Sequence, residues 1–273
     1  MNKNISYQSG NLLFRIQDQL KRDWFTVADA AGLMTDMKGG ALRQLLSDMV
    51  KRGLLMKVKQ GTYYLIPYHE RPEQYLPDWH LLAEPLVGSP DYYIGYFSAL
   101  QIHGLITQPS LNEYVITKKQ VRPAMVNVRD ITFQFIYYNE QHYFGGAPTW
   151  IDDFNRVNCS DLEKTIIDCL YKPEYAGGIV EIAKAIYASK QKLKWSKLLD
   201  YCQKFSAHSV TKRLGYLLEL FDTGQEIIPA LLELRTESVI TLDTELPAAG
   251  PVNKKWRVQE NIDTETIISA QTT

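Results

Sequence analysis

The hydrophobic repeat of this chain changes period across one glycine, Gly53, and that change restricts the local fold more than any other feature of the sequence. Before it, Leu42, Leu45, Leu46, Met49 and Val50 recur at i, i+3, i+4, i+7 and i+8, the stripe of an amphipathic helix. Gly53 is placed as that helix's C-terminal cap. After it, Leu54, Met56 and Val58 alternate with Leu55, Lys57 and Lys59; Gln60-Gly61 makes a tight turn, and Thr62-Tyr63-Tyr64-Leu65-Ile66 returns as a second strand. The upstream residues supply what covers these apolar faces. Leu12, Leu13, Ile16 and Leu20 fall at helical spacing and end near Lys21-Arg22, where cations suit a helix C-terminus. Thr26 and Asp29 form a Thr-x-x-Asp pair resembling a capping box, opening a short helix through Val27, Ala30 and Ala31 that stops at Gly32. A turn region from Leu33 to Gly39 leads into the striped helix. Three helices and a β-hairpin in about 60 residues is the order of a winged helix-turn-helix.

The polar face of the third helix carries Gly40, Arg43, Gln44, Ser47 and Lys51 at i, i+3, i+4, i+7 and i+11. A helix fits the major groove of DNA, where Arg can hold guanine and Gln adenine through paired hydrogen bonds. Arg43, Gln44 and Ser47 are therefore the expected base-reading residues. Lys38, Lys51, Lys57 and Lys59 are the expected phosphate contacts, which supply affinity rather than sequence reading. Gly39 and Gly40 would let the helix N-terminus approach a phosphate closely. The competing reading is a solvated helix face, or a winged-helix module used for protein contacts.

Charge favours DNA once it is divided along the chain. Lys+Arg is 30 and Asp+Glu 31, a formal net charge of -1, which argues against a strongly basic nucleic-acid binder. Residues 1–67, however, hold ten basic and five acidic side chains, or +5, leaving 20 basic and 26 acidic for the remainder, or -6. A basic head on an acidic body, with an Arg-Gln recognition face on the head, points to double-stranded DNA.

No run of about 18 apolar residues occurs, so no membrane span or membrane partner is expected. Met1-Asn2-Lys3-Asn4-Ile5-Ser6 lacks the apolar core of a signal peptide, and the expected location is the cytoplasm. Cys159, Cys169 and Cys202 lack Cys-x-x-Cys spacing and read as reduced, buried small hydrophobes. The five histidines are never three or four residues apart, so no local metal motif appears, and neither a Gly-x-Ser-x-Gly elbow nor a Walker-type loop is present. Glu163-Lys164 with Asp152, Asp153 and Asp168 could suggest a nuclease-like site. The structural reading is preferred: Ser160-Asp161-Leu162-Glu163 is a capping box with Glu163 behind Ser160, and Asp168 is a charge on the helix surface. His103 before Gly104 reads as a helix C-terminal histidine. No enzyme activity, metal or cofactor is expected.

The expected fold class is α+β, with a winged head at 1–67, a Pro-rich connection at 68–90 and a mixed α/β body at 91–273. In the body, strands fall mostly in 111–158 and helices mostly in 160–235, after a mostly buried helix over 95–103. Tyr114 to Thr117 and Ile131 to Tyr138 are β-rich, and further helices fit 178–188, 195–205, 209–221 and 225–234.

Three segments of the body carry a family resemblance. Tyr92-Tyr93-Ile94-Gly95-Tyr96-Phe97-Ser98-Ala99-Leu100, with His103-Gly104-Leu105, resembles the central signature of AbiEi-type antitoxins and related bacterial transcriptional regulators. Asp161-Leu162-Glu163-Lys164-Thr165-Ile166-Ile167-Asp168, followed by Pro173-Glu174-Tyr175-Ala176-Gly177-Gly178, is similar to a second family segment. Leu246-Pro247 and Gly250-Pro251-Val252-Asn253-Lys254-Lys255-Trp256 resemble a third. The resemblance implies the antitoxin of a type IV toxin–antitoxin pair. Its winged helix would repress transcription at inverted repeats in its own promoter region, and its C-terminal domain would counteract a nucleotidyltransferase-like toxin without needing a stable complex. A solitary regulator, and a protein-interaction module whose acidic body binds a partner directly, are the alternatives.

Overall fold

The computed structural model describes residues 3–106 and 108–269. Met1, Asn2, Thr107 and 270–273 lie outside the described residues. The chain divides into two compact units, Met1–Pro90 and Asp91–Thr273.

Local capping sets the helix starts of the first unit. In α1 (Tyr7–Arg15) the Ser6 hydroxyl accepts from the Ser9 amide, and the helix widens into a π turn over Ile16–Leu20 before Lys21 turns left-handed. A short strand β1 (Trp24–Thr26) precedes α2 (Val27–Leu33), whose capping box closes as expected: the Asp29 amide donates to the Thr26 hydroxyl at 3.1 Å, and the Thr26 amide donates to the Asp29 carboxylate at 2.7 Å. Next come α3 (Gly39–Lys51), β2 (Leu55–Lys59) and β3 (Thr62–Leu65). The three strands form an antiparallel sheet in the order β1-β3-β2. Of the predicted α3 stripe, Leu42, Leu45, Leu46 and Met49 are buried among Leu12, Ile16 and Phe25, and Val50 packs partly buried against them. At the end of α3 the chain needs a glycine: Gly53 has φ +72, and a Cβ there would sit 2.2 Å from the Pro72 ring.

Residues 68–90, expected as a connection, belong to this first unit. They fold into a 3-10 turn (Trp79–Leu82) and α4 (Ala83–Val87), which bury Leu82, Ala83 and Leu86. Pro85 does not prevent this, because it stands in the first turn, where a backbone donor has no helical partner to lose.

The second unit is built on a six-stranded mixed sheet in the order β6-β7-β5-β4-β9-β8. Its strands are β4 (Tyr92–Ile94), β5 (Asn112–Thr117), β6 (Met125–Val128), β7 (Ile131–Tyr137), β8 (Gly146–Trp150) and β9 (Arg156–Ser160). The pairs β5–β7 and β4–β9 are parallel. Between β4 and β5 lies α5 (Tyr96–Ile102); after β9 come α6 (Leu162–Tyr171), α7 (Gly178–Ser189), α8 (Trp195–Phe205), α9 (His208–Leu220) and α10 (Ile228–Leu234). Tail strands β10 (Ile240–Thr241), β11 (Val252–Asn253) and β12 (Val258–Gln259) form a small sheet, followed by α11 (Thr264–Ser269). The strands therefore start at Tyr92 and recur in the tail, beyond the expected 111–158.

One large core joins Tyr93 and Ile116 of the sheet to Ile166, Leu170, Ile182 and Leu217 of the helices. Buried polar side chains fasten the tail to it. Arg213 donates to the carbonyls of Leu170, Thr241 and Leu242, and Asp243 accepts from the Ile179 amide at the start of α7. Trp256 packs so closely on Gly215 that a Cβ there would lie 2.1 Å from its ring. The three cysteines are free and buried, and burial pushes their thiols up. Among the described residues, no helix is long and apolar enough to cross a membrane. The chain is an α+β protein.

Candidate nucleic-acid interface

The α3 stripe fixes what the rest of that helix presents. With Leu42, Leu45, Leu46 and Met49 turned into the first unit, Arg43, Gln44, Ser47 and Lys51 are exposed. Among the described residues Arg43 makes no ion pair. Gln44 donates from Nε2 to Asp48 at 3.1 Å, and the Lys51 ammonium lies 4.0 Å from the same carboxylate. Asp48, which the sequence reading passed over, thus holds a partner on each side of the polar face. Exposed contacts of this kind are worth roughly 0–1 kcal/mol, so a base edge or phosphate can replace them. Lys38 is exposed at the α3 N-cap, and its side chain cannot accept a hydrogen bond, so the helix has no side-chain cap there.

The hairpin separates its two lysines. Lys57 is exposed on β2. Lys59 is half-buried and donates to the Leu86 carbonyl at 2.6 Å; burial lowers its pKa. A register shift lies between Lys57 and Lys59, where two residues of β2 oppose one step of β3. Lys59, one of the expected phosphate contacts, thus spends a donor on a tie between the hairpin and α4. Lys38, Lys51 and Lys57 remain on the solvent side.

Of the carboxylate–lysine group of the second unit, Lys164 and Asp168 meet, while Asp152 and Glu163 turn to other partners. Exposed Asp152 accepts from the Phe154 and Asn155 amides within its own turn. Glu163 accepts from the Lys194 amide at 2.9 Å and the Lys197 ammonium at 2.8 Å. It therefore does not close a capping box with Ser160; the α6 N-cap is Asp161, which accepts from the Lys164 amide, while the Ser160 hydroxyl meets Thr165. Asp168 is likewise not a surface charge. It is fully buried, paired with Lys164 one turn earlier, and it accepts from the Tyr93 hydroxyl at 3.2 Å. The Lys164 ammonium lies about 5 Å from the ring centres of Tyr93, Tyr138, Phe144 and Phe205. Burial pushes the Asp168 carboxyl up and the Lys164 amine down, against their mutual attraction. Among the described residues, no three His, Cys, Asp or Glu side chains gather where a metal ion could be held. His103, at the C-cap of α5, makes a 2.7 Å ring-nitrogen contact with the Ser160 carbonyl.

Compared with protein-family models and with curated proteins, the chain matches none. Among solved structures it is similar to the crystal structure of the RV2827C protein from Mycobacterium tuberculosis. The TM-score is 0.69 over 99% of this chain and 96% of that one, at 14% identity. At that identity the likeness is one of fold.

Proposed function

We propose that the first unit is a winged helix-turn-helix and that the chain is a sequence-specific DNA-binding transcriptional repressor. We further propose that it is of the AbiEi type and acts in the cytoplasm as the antitoxin of a type IV toxin–antitoxin pair. The order α1-β1-α2-α3-β2-β3, with the hairpin closing the sheet, supports the winged-helix reading. The observation that carries DNA binding is the solvent-facing row Arg43, Gln44 and Ser47 on α3, opposite a fully used apolar stripe. Lys38, Lys51 and Lys57 flank that row and supply phosphate contacts. The antitoxin role rests on the resemblance of the three body segments, with a nucleotidyltransferase-like toxin as the functional counterpart.

A gel shift on the DNA upstream of its own gene tests the reading. The full chain shifts that DNA, and Arg43→Ala with Gln44→Ala weakens the specific complex by about tenfold or more, since each paired base contact is worth roughly 1–3 kcal/mol. An unchanged shift removes the base-reading assignment.

A second reading, direct contact of a partner protein by the second unit, is favoured by the end of β8 and the turn that leads to β9. Trp150 and Phe154 are 59% and 88% exposed there, and the Arg156 guanidinium lies 5.0 Å from the Trp150 ring centre. Large aromatics and Arg are the residue types that anchor protein interfaces. Co-purification with a neighbouring toxin, together with no DNA shift at low salt, would decide for it.

A further inference from the structure

The first unit holds a cavity of about 270 Å³ that the DNA reading does not use. Leu13 of α1, Leu54 and Leu65 of the hairpin, Tyr68 and Tyr75 line it. Asp23 brings the one carboxylate of the lining. Among the described residues Asp23 forms no ion pair. Small-molecule sites run from roughly 300 to 1,000 Å³, so this one suits a compact ligand.

The chain itself displays the chemistry that the rim accepts. The Lys3 ammonium donates to three carbonyls of the neighbouring loop, Pro67 at 2.8 Å, Tyr68 at 2.9 Å and Glu70 at 2.7 Å. It also lies 5.7 Å from the Tyr68 ring centre. Two residues further on, Ile5 also lines the cavity. An ammonium on carbonyl dipoles and an aromatic face, beside an apolar hollow, outlines the site of a hydrophobic cation. The local field has the matching sign: the Tyr75 phenol is pushed up to about 12, first by burial and then by the charges of Asp23 and Glu70. Negative potential that disfavours a phenolate favours a bound cation.

We propose that this cavity binds a small hydrophobic monocation of the arylalkylammonium class. Its ammonium group meets the Asp23 carboxylate and the faces of Tyr68 and Tyr75, and its ring lies among Leu13, Leu54 and Leu65. The Lys3 ammonium lies over the Tyr68 ring and competes with it.

Calorimetric titration of the full chain without DNA tests the assignment, so its failure is separable from failure of the DNA reading. The probes are 2-phenylethylammonium, the uncharged 2-phenylethanol and the anionic phenylacetate. The account expects saturable binding of the ammonium, roughly tenfold weaker binding of the alcohol and none of phenylacetate, because a charge-assisted contact with Asp23 separates them. Asp23→Asn, a change at an exposed residue, lowers ammonium affinity several-fold. Lys3→Gln raises it by removing the competing ammonium. Equal binding of the alcohol, no saturation by the ammonium, or an unaltered affinity in Asp23→Asn overturns the site. An unaltered affinity in Lys3→Gln overturns the competition.

Discussion

In the first unit Lys38, Arg43 and Lys57 project into solvent, whereas in the second unit Lys164, Lys212 and Arg213 are sunk into the fold and spend their donors on internal acceptors. Total charge cannot distinguish these two uses. A cation left in water keeps its hydration until a partner replaces it. A buried cation has already exchanged water for fixed carbonyls, hydroxyls or a carboxylate, and removing one partner strands the other. Lys59 shows that the division follows geometry rather than sequence neighbourhood, since it is half-buried on the Leu86 carbonyl although Lys57, two residues away, is exposed.

The sharpest break of this comparison is at the buried pair. Lys164→Met leaves Asp168 uncompensated and costs roughly 3–5 kcal/mol in denaturant unfolding, whereas Lys57→Met in the first unit stays within about ±0.5 kcal/mol. The double variant Lys164→Met with Asp168→Leu recovers most of that loss. A double variant as unstable as the single would mean that the pair is not the source of the effect.

Gly215→Ala strikes the second unit without touching a charge. The added methyl overlaps the buried ring of Trp256, which must move to admit it. The expected loss is roughly 1–3 kcal/mol, read as a lower Tm, and an unchanged Tm would show that the ring yields freely.

The smallest effect is on pH. His142 stacks on Phe205 at 4.0 Å, and burial, helped by the Lys164 charge, lowers its pKa below 6.5 against an opposing hydrogen bond to the Phe205 carbonyl. The unfolded chain therefore takes up the proton first as pH falls through about 6.5, and stability declines in that window. The urea midpoint of the second unit should drop between about pH 7.5 and 5.5, and His142→Gln should flatten that drop. An equal drop in the variant assigns the pH response to other groups.

Much of the first unit is legible in the sequence because its signals are local. The α3 stripe, the Thr26–Asp29 capping box and the Gln60-Gly61 turn each lie within a few residues and fold as read. The second unit hides more. Tyr92-Tyr93-Ile94 is a short, wholly buried apolar run, which periodicity cannot assign to strand or helix, and its strand character comes from pairing with β5 and β9. Lys164 and Asp168 have the i, i+4 spacing of an ordinary surface pair; only the layers packed around α6 make them internal. The β2 register shift is equally silent in sequence, and with it the role of Lys59. The tail strands are two residues long and owe their existence to one another.

The central claim, that solvent-facing cations of the first unit meet DNA phosphate while inward ones do not, is tested most directly by salt. The logarithm of the binding constant of the full chain for its own upstream DNA is measured against the logarithm of salt concentration. The account predicts a steep slope, made shallower by roughly 2.7 when Lys38, Lys51 and Lys57 are all changed to Ala, at about 0.9 per phosphate contact, and left unchanged by Lys59→Ala. A flat wild-type line, or a slope that Lys59→Ala reduces as much as Lys57→Ala does, would contradict it.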